Sequence, residues 1–284
     1  MSITWEEHQL FIKESLRKEK ENSLEAKKAK ELACTPVELT RYRNERNLML
    51  YPFCSTSKRK RLKSIDYRSA DGKRWLKVSA NHDFGMAKIW DFDILRFALS
   101  KAGEINYHSG YFPNFIEFSA YECLKEIGRD RKAGKNYIWL EEALRRLVST
   151  TYHGNIFQEN SNHVNGFTLI SCHYEKSSDC IQKIRITFNE QILESVRHQK
   201  GLLTIDDHVI HEESGIKKRL LELVKISKGS DKEWVVGLDR LKEMCAHEGH
   251  MKEFKRLIKS YELPWKLKFT NAVSGGKNIW FFDN

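Results

Sequence analysis

The sequence contains no run of eighteen consecutive apolar residues, so no segment of it is a candidate for a membrane-spanning helix. Near the N-terminus, Glu6, Glu7 and His8 stand where a secretion signal would need an apolar core. The six cysteines are scattered without a paired spacing, which predicts reduced, mostly buried thiols instead of disulfides. These absences together predict a cytoplasmic protein that neither crosses a membrane nor binds one.

The motifs of enzymes that process DNA are also missing. No His-x-His occurs, although a rolling-circle nicking initiator would use that pair to hold its metal. No Gly-x-x-x-x-Gly-Lys-Ser/Thr occurs, which argues against an ATPase or helicase. The cluster from Cys245 to His250 lacks a fourth ligand at zinc-like spacing, so we interpret it as a helix end with exposed histidines, a metal site being the alternative. We expect no catalysis, no cofactor and no bound metal.

Two carboxylates, Asp91 and Asp93, stand at the start of a predicted helix. They could be imagined as a catalytic pair, but their position favours capping and a favourable interaction with the helix dipole. We therefore interpret them as structural.

The last seventy or so residues predict a winged helix. Apolar residues that recur at three-and-four spacing predict helices at 215–227, 238–246 and 251–262, the last of which is stopped by Leu263 and Pro264. Strand-like runs at 265–270 and 278–282 flank a flexible segment suited to a hairpin tip.

The third of these helices has two faces that differ in kind. Met251, Phe254, Ile258 and Tyr261 form an apolar stripe, whereas cations project from the other side, as in a helix that enters the major groove of DNA. The alternative is an ordinary solvated face. The predicted DNA contacts of this unit are Lys252, Lys255, Arg256 and Lys259 on the helix and Lys266, Lys268 and Lys277 on the hairpin.

The same order of elements is predicted earlier in the chain, with helices near 89–102, 119–128 and 136–149 and strands near 115–118, 150–157, 166–174 and 181–188. The fold class is therefore α+β, with two tandem winged-helix domains. The predicted boundaries are 1–45 for a charged N-terminal helical segment, 46–200 for the first winged-helix domain and 201–284 for the second. The first domain's predicted DNA contacts are Lys132, Lys135, Asn136, Arg145 and Arg146.

Positive charge is concentrated in one stretch. The whole chain carries +10, and residues 41–77 contain twelve lysines and arginines against three acids, a local charge of +9. Such a stretch favours a polyanionic partner. Within it, Lys58, Arg59, Lys60 and Arg61 are predicted to form a disordered phosphate-binding arm, the alternatives being a solvated loop or a nuclear localisation signal.

Four segments resemble the replication initiator protein A family of bacterial plasmids. They are Tyr51–Arg61, Gly85–Leu95, Tyr121–Arg129 and Leu144–Thr151, and the resemblance covers roughly residues 48 to 280. It implies a plasmid initiator with tandem winged helices that binds repeated origin sequences called iterons. It also implies exchange between a homodimer and an origin-binding monomer, and recruitment of host initiator and helicase proteins.

We therefore expect a protein that binds double-stranded DNA of a plasmid origin and performs no covalent chemistry. A transcriptional repressor of a plasmid or phage operon would use the same contacts and is the alternative. A winged-helix scaffold that contacts only protein is a third possibility, which the basic stretch disfavours.

Overall fold

The computed structural model describes residues 27–28, 30–34, 38–158, 164–177, 180–198, 201–271 and 276–283. Most of the predicted charged N-terminal segment and of the predicted hairpin tip lies outside these residues. Helices and strands alternate along the chain, which confirms the predicted α+β class. In chain order they are β1 (Tyr42–Glu45), α1 (Arg46–Leu50), β2 (Ile65–Arg68), β3 (Trp75–Ser79), α2 (Phe92–Ser109), β4 (Phe115–Ser119), α3 (Ala120–Glu126), α4 (Gly134–Ser149), β5 (Thr151–Gly154), β6 (Asn165–Phe167), β7 (Ile170–Ser177), β8 (Cys180–Phe188), α5 (Glu190–His198), β9 (Leu202–Ile205), α6 (Asp207–His211), α7 (Gly215–Lys228), β10 (Glu233–Gly237), α8 (Leu238–Met244), α9 (Met251–Ser260), β11 (Lys266–Asn271) and β12 (Lys277–Phe282).

The C-terminal unit, residues 215–283, has the predicted helices and hairpin in the predicted order. One strand, β10, was not predicted, and it pairs antiparallel with β12 to give the sheet order β10-β12-β11. Leu220, Leu223 and Val224 of α7 are fully buried, as are Ile279 and Phe281 on the inner face of the sheet. The three helices and the sheet therefore enclose an apolar core.

The first unit, residues 92–188, repeats this arrangement with α2, β4, α3, α4, β7 and β8. Its sheet order is β4-β8-β7, so in both units the strand after the first helix pairs with the last strand. The repetition predicted from the order of elements is thus also a repetition of strand pairing.

An insertion between α4 and β7 distinguishes the first unit from the C-terminal one. The single strand predicted at 166–174 is two strands, because the chain leaves one sheet after β6 and enters another at β7. Strands β5 and β6 join the hairpin of β2 and β3 in the order β2-β3-β5-β6. The first unit therefore carries a four-stranded sheet that the C-terminal unit lacks among the described residues.

Several short elements that were not predicted link the two units. Strand β1 pairs antiparallel with β9, and α1 packs on α7. The buried Glu45 carboxylate accepts hydrogen bonds from the Leu48 backbone and the Ser195 hydroxyl, at 2.8 and 2.6 Å. The buried apolar residues of both units form one continuous core. The predicted boundaries at 45 and 200 therefore fall beside strands that pair with each other.

Candidate nucleic-acid interface

Helix α9 separates apolar and cationic side chains as predicted. Phe254 and Ile258 are completely buried, whereas Lys252, Arg256 and Lys259 are exposed and Lys255 is half-buried. The predicted two-faced helix is confirmed, and its outward face presents cations to solvent. Contact of that face with DNA stays a prediction.

The start of α9 is held by residues that are distant in sequence. The turn before it includes Ala246, whose φ of 49° is uncommon for a residue with a Cβ. The Arg61 guanidinium donates to the Ala246 carbonyl at 2.6 Å, and the Thr56 hydroxyl donates to the Cys245 carbonyl at 3.1 Å. These carbonyls lie between α8 and α9. Residues 56–61, called the basic segment, therefore fix the angle at which α9 leaves the turn.

The end of α9 is tied to the first helix of the same unit. Ser214 is the N-cap of α7, and its hydroxyl donates to the Tyr261 hydroxyl at 2.9 Å. Tyr261 is also the C-cap residue of α9. Both ends of α9 are therefore fixed against the body of the protein, as a helix that positions side chains on a partner requires.

The hairpin carries its predicted cations on two different faces. Lys277 shares the inner face with Phe269, and the ammonium groups of Lys255 and Lys259 lie 5.0 and 5.3 Å from the centre of the Phe269 ring. Partial burial, followed by the charges of Lys277 and Lys259, lowers the pKa of Lys255. Two cations of the candidate interface thus lie over one aromatic ring, and Lys277 interacts with one of them, Lys255.

Lys266 and Lys268 lie on the opposite face of the same hairpin. They pair across the strands with Phe282 and Trp280, whose rings stack with centroids 6.0 Å apart. The Trp280 indole donates to the Thr270 hydroxyl at 3.0 Å. The sheet therefore separates Lys266 and Lys268 from Lys277, and the structure does not bring the three lysines into one group.

The prediction that residues 58–61 form a disordered arm is wrong, because this segment is ordered and packs on the body of the protein. Phe53 is buried beside the Tyr152 ring, with 5.3 Å between their centroids, and Arg61 is 8% exposed. The Arg61 guanidinium donates to the carbonyls of Lys63, Ser64 and Ala246, so it is occupied inside the protein and its assignment to phosphate is corrected.

Lys58, Arg59 and Lys60 remain exposed on that ordered segment. The Lys60 ammonium donates to the Asp83 carbonyl at 2.8 Å, and the Lys58 ammonium lies 5.7 Å from the centre of the Trp90 ring. These three side chains therefore keep their place in the candidate interface, on a fixed backbone.

Two of the segments that carry the family resemblance contact each other. The Ser55 amide donates to the Ala87 carbonyl, and the Ile89 amide donates to the Ser55 carbonyl, both at 2.9 Å. Gly85 has a φ of 79°, and a Cβ there would lie 2.8 Å from the Lys60 Cγ. A side chain at position 85 would thus strain the backbone and collide with the basic segment.

In the first unit, the prediction that Arg146 contacts phosphate is wrong, because Arg146 forms a buried ion pair with Asp91. Its guanidinium donates to both Asp91 carboxylate oxygens, at 2.7 and 2.9 Å, and Asp91 is fully buried. Desolvation opposes the charged guanidinium, but the hydrogen bonds and charge of Asp91 outweigh it and raise the pKa of Arg146. Asp91 is the N-cap residue of α2, as its predicted position requires, but its side chain makes no cap hydrogen bond to the helix.

The predicted DNA contact of Asn136 is also wrong, because Asn136 is buried and its side-chain amide donates to the Asp130 carbonyl at 2.8 Å. Lys132, Lys135 and Arg145 are exposed, as a phosphate contact requires. Arg145 also pairs with Glu141 at 2.6 Å on the same helix. Three of the five predicted residues of the first unit thus remain available.

Asp93 joins the first helices of the two units. Its carboxylate accepts from the Lys218 ammonium of α7 at 2.6 Å and from the Arg96 guanidinium at 2.8 Å. Arg96 in turn contacts Glu222 of α7 at 2.8 Å. All four side chains are buried, and desolvation lowers the pKa of Lys218. This carboxylate therefore holds the two units together and does not cap a helix.

Sequence analysis missed an exposed isoleucine and an arginine of the first unit. Ile138 lies on α4 with 64% of its side chain exposed, and Arg131 precedes that helix. The Arg131 guanidinium donates to the Tyr121 hydroxyl at 2.6 Å. The available signal was that Ile138 does not fit the buried spacing of Leu140, Leu144 and Leu147.

The six cysteines are free thiols: Cys54, Cys123 and Cys245 are buried, Cys172 is half-buried, and Cys34 and Cys180 are exposed, so the predicted burial holds for three of the six. Among the residues that the structure describes, no group of three or more histidines, cysteines and acids is arranged to hold a metal ion. In the described part of the chain, every helix is too short or too polar to cross a membrane.

Two solved structures of RctB are similar in fold to this chain. One, of selenomethionine derivatives of its domains 2 and 3, matches with a TM-score of 0.56 at 13% identity, over 84% of this chain and 95% of that chain. A second structure of RctB domains 2–3 matches with a TM-score of 0.51 at 12% identity, over 84% and 96%. The α+β fold of this chain is thus similar to that of domains 2 and 3 of RctB.

The family model described as replication initiator protein A matches residues 43–265. A protein of Wigglesworthia glossinidia brevipalpis named "Putative replication protein" is 27% identical over 271 residues, which cover 91% of this chain and 92% of that protein. The chain belongs to the replication initiator protein A family.

Proposed function

We propose that this replication initiator binds repeated origin sequences, or iterons, as double-stranded DNA and performs no covalent chemistry itself. The observation that carries the proposal is the outward face of α9, where Lys252, Arg256 and Lys259 are exposed on the side opposite the fully buried Phe254 and Ile258. A cationic helix fixed at both ends, placed third in its unit and beside a hairpin, has the geometry of a major-groove reader.

In this proposal, α9 enters the major groove and Arg256 donates to the O6 and N7 atoms of guanine. Lys255 and Lys259, which lie over the Phe269 ring, and the neighbouring Lys277 bind phosphates beside the groove. In the first unit, Lys132, Lys135 and Arg145 bind the adjacent turn of the duplex. Two units on one duplex would span about two helical turns, on the order of 20 base pairs.

Lys58, Arg59 and Lys60 add positive charge on the ordered basic segment. If six to ten phosphates are neutralised, affinity falls about 10³- to 10⁵-fold between 50 and 200 mM salt. A binding constant that does not respond to salt would contradict this part of the proposal.

We also propose that the initiator exchanges between a dimer and an origin-binding monomer and recruits host initiator and helicase proteins. Family membership supports this part of the proposal.

Footprinting on the replicon that encodes the chain tests the proposal. We expect protection of direct repeats beside an AT-rich segment, each protected for about two turns. Protection of an inverted repeat over a promoter would instead identify a repressor. Equal binding to origin and random duplexes would overturn specific recognition.

A further inference from the structure

Helix α4 exposes an isoleucine among charged residues. Its outward positions are Gly134, Lys135, Ile138, Glu142 and Arg145, all of which are exposed. Its buried positions already include Leu140, Ala143, Leu144 and Leu147, so packing of the unit does not require Ile138. An apolar side chain that is 64% exposed on the third helix is therefore available to a partner.

The partner that suits this surface is a polyanion with an apolar group. Lys132 and Lys135 are exposed near the start of α4, and Arg131 is held by Tyr121, whose ring centre is 4.8 Å from the guanidinium carbon. Glu142 is an exposed carboxylate on this face, 3.6 Å from Arg146, but the exposed cations Arg131, Lys132, Lys135 and Arg145 outnumber it. The cations around Ile138 would repel the same surface of a second copy and attract a phosphate backbone.

We propose that Ile138 contacts the 5-methyl group of a thymine in the major groove and so determines sequence preference. Thymine is the base that presents a methyl group there, and apolar side chains read it by direct contact. Isoleucine is β-branched and stiff in a helix, so little side-chain freedom is lost when it is fixed against the base. This inference rests on the proposed function, because it requires α4 to lie in the groove.

The two units then read DNA by different chemistry. The outward positions of α9 are Lys252, Glu253, Arg256, Lys259 and Ser260, with no apolar residue among them. The C-terminal unit therefore supplies hydrogen bonds and charge, whereas the first unit supplies an apolar contact that only thymine satisfies.

The test is a cycle between protein and DNA variants. A duplex is selected from a random library by the full chain, and each thymine in it is replaced in turn by deoxyuridine, which lacks only the methyl group. We expect one position at which this replacement weakens wild-type binding by roughly three- to tenfold. Ile138→Ala should bind the thymine duplex about as weakly and should be insensitive to uracil at that position.

Tyr107→Ala is the matched control, because Tyr107 is an apolar side chain of the first unit that is 77% exposed on another helix. It should keep the full sensitivity to uracil. Since Ile138 is largely exposed, its replacement should leave the thermal unfolding curve unchanged, which separates recognition from folding.

Three outcomes would overturn the inference. Uracil could change binding by the wild type and by Ile138→Ala equally at every position, or it could have no effect at any position. Alternatively, Ile138→Ala could alter oligomeric state without altering DNA preference, which would make Ile138 a protein contact. If the library yields no preferred duplex, the proposed function itself fails, and the inference fails with it.

Discussion

The third helices of the two units occupy the same place in the fold and differ in what they do with their arginines. Arg256 of α9 is exposed, whereas Arg146 of α4 is turned inward onto Asp91. In α9 the charges face outward, and the side chains of Thr56 and Arg61 hold the helix by donating to the Cys245 and Ala246 carbonyls before it. In α4 a buried charge pair holds the helix, and an isoleucine faces outward. The comparison teaches that topology alone does not decide which cations of a helix are free to bind DNA.

We expect the greatest loss of stability from a substitution that breaks the buried pair between Arg146 of α4 and Asp91. Arg146→Met leaves the Asp91 carboxylate buried without its partner, and we expect a loss of about 3 to 5 kcal/mol in the free energy of unfolding. Denaturant titration measures it. Arg145→Ala is the control, because Arg145 is the exposed neighbour on the same helix and its loss should leave the free energy of unfolding nearly unchanged. A stable Arg146→Met variant that loses only DNA binding would restore Arg146 to the interface.

The next effect concerns reading by α9. Arg256→Ala should cost roughly 1 to 3 kcal/mol of binding free energy and reduce the preference for the specific duplex. Lys58→Ala should instead weaken specific and random duplexes alike, because its expected contact is with phosphate. Competition binding with both duplexes measures the two ratios. Identical behaviour of the two variants would show that α9 is not the reading helix.

A smaller effect is a difference in how the stability of the β4-β8-β7 and β10-β12-β11 sheets depends on pH. Glu117 of β4 accepts from Lys183 at 2.7 Å and from Arg185 at 2.6 Å on β8, whereas Trp234 and Phe281 stack between β10 and β12. Although burial raises the pKa of Glu117, hydrogen bonds from Lys183, Cys34 and Arg185 outweigh it and lower the pKa to about 2.

The lowered pKa means that the stabilisation by Glu117 is complete above the unfolded pKa, near 4.5, and is lost as pH falls toward 2. After allowance for solvent screening we expect roughly 1 to 2 kcal/mol. Hydrogen exchange should show the β4–β8 sheet losing protection before the β10–β12 sheet as the solution is acidified. Glu117→Gln should remove that difference, and equal loss in the wild type would contradict it.

The smallest effect tests the division of the hairpin lysines. Lys277→Ala should reduce the slope of log affinity against log salt by about 0.9, the contribution of one phosphate contact. Lys266→Ala should change it less, because Lys266 lies on the other face of the sheet, away from Lys255 and Lys259. Equal reductions would show that both faces of the hairpin meet DNA.

Sequence patterns predicted the long elements and missed the short ones. The third helix of the C-terminal unit was predictable because Phe254 and Ile258 recur at helical spacing and Pro264 limits its extent. The linking strands β1 and β9 have four residues each, which is too short for a periodic pattern. Strand β10 has five residues and was recognisable only by its pairing with β12.

The sequence predicts which cations could belong to the candidate site. It does not predict which of them are buried or on which face of the fold they lie. Arg145 and Arg146 are neighbours of identical type, and what distinguishes them is Asp91, which lies 55 positions earlier. Lys266 and Lys277 look equivalent until the strand register assigns them to opposite faces. Partners that are distant in sequence decide which charged side chains are free to bind, and the composition of a segment does not reveal those partners.

Chemical protection of guanine N7 from methylation shows whether the outward face of α9 lies in the major groove. On the specific duplex, we expect the wild type to protect guanine N7 in each bound repeat and Arg256→Ala to lose protection at one guanine. Guanine N7 that stays reactive in the bound complex, with minor-groove positions protected instead, would contradict the account.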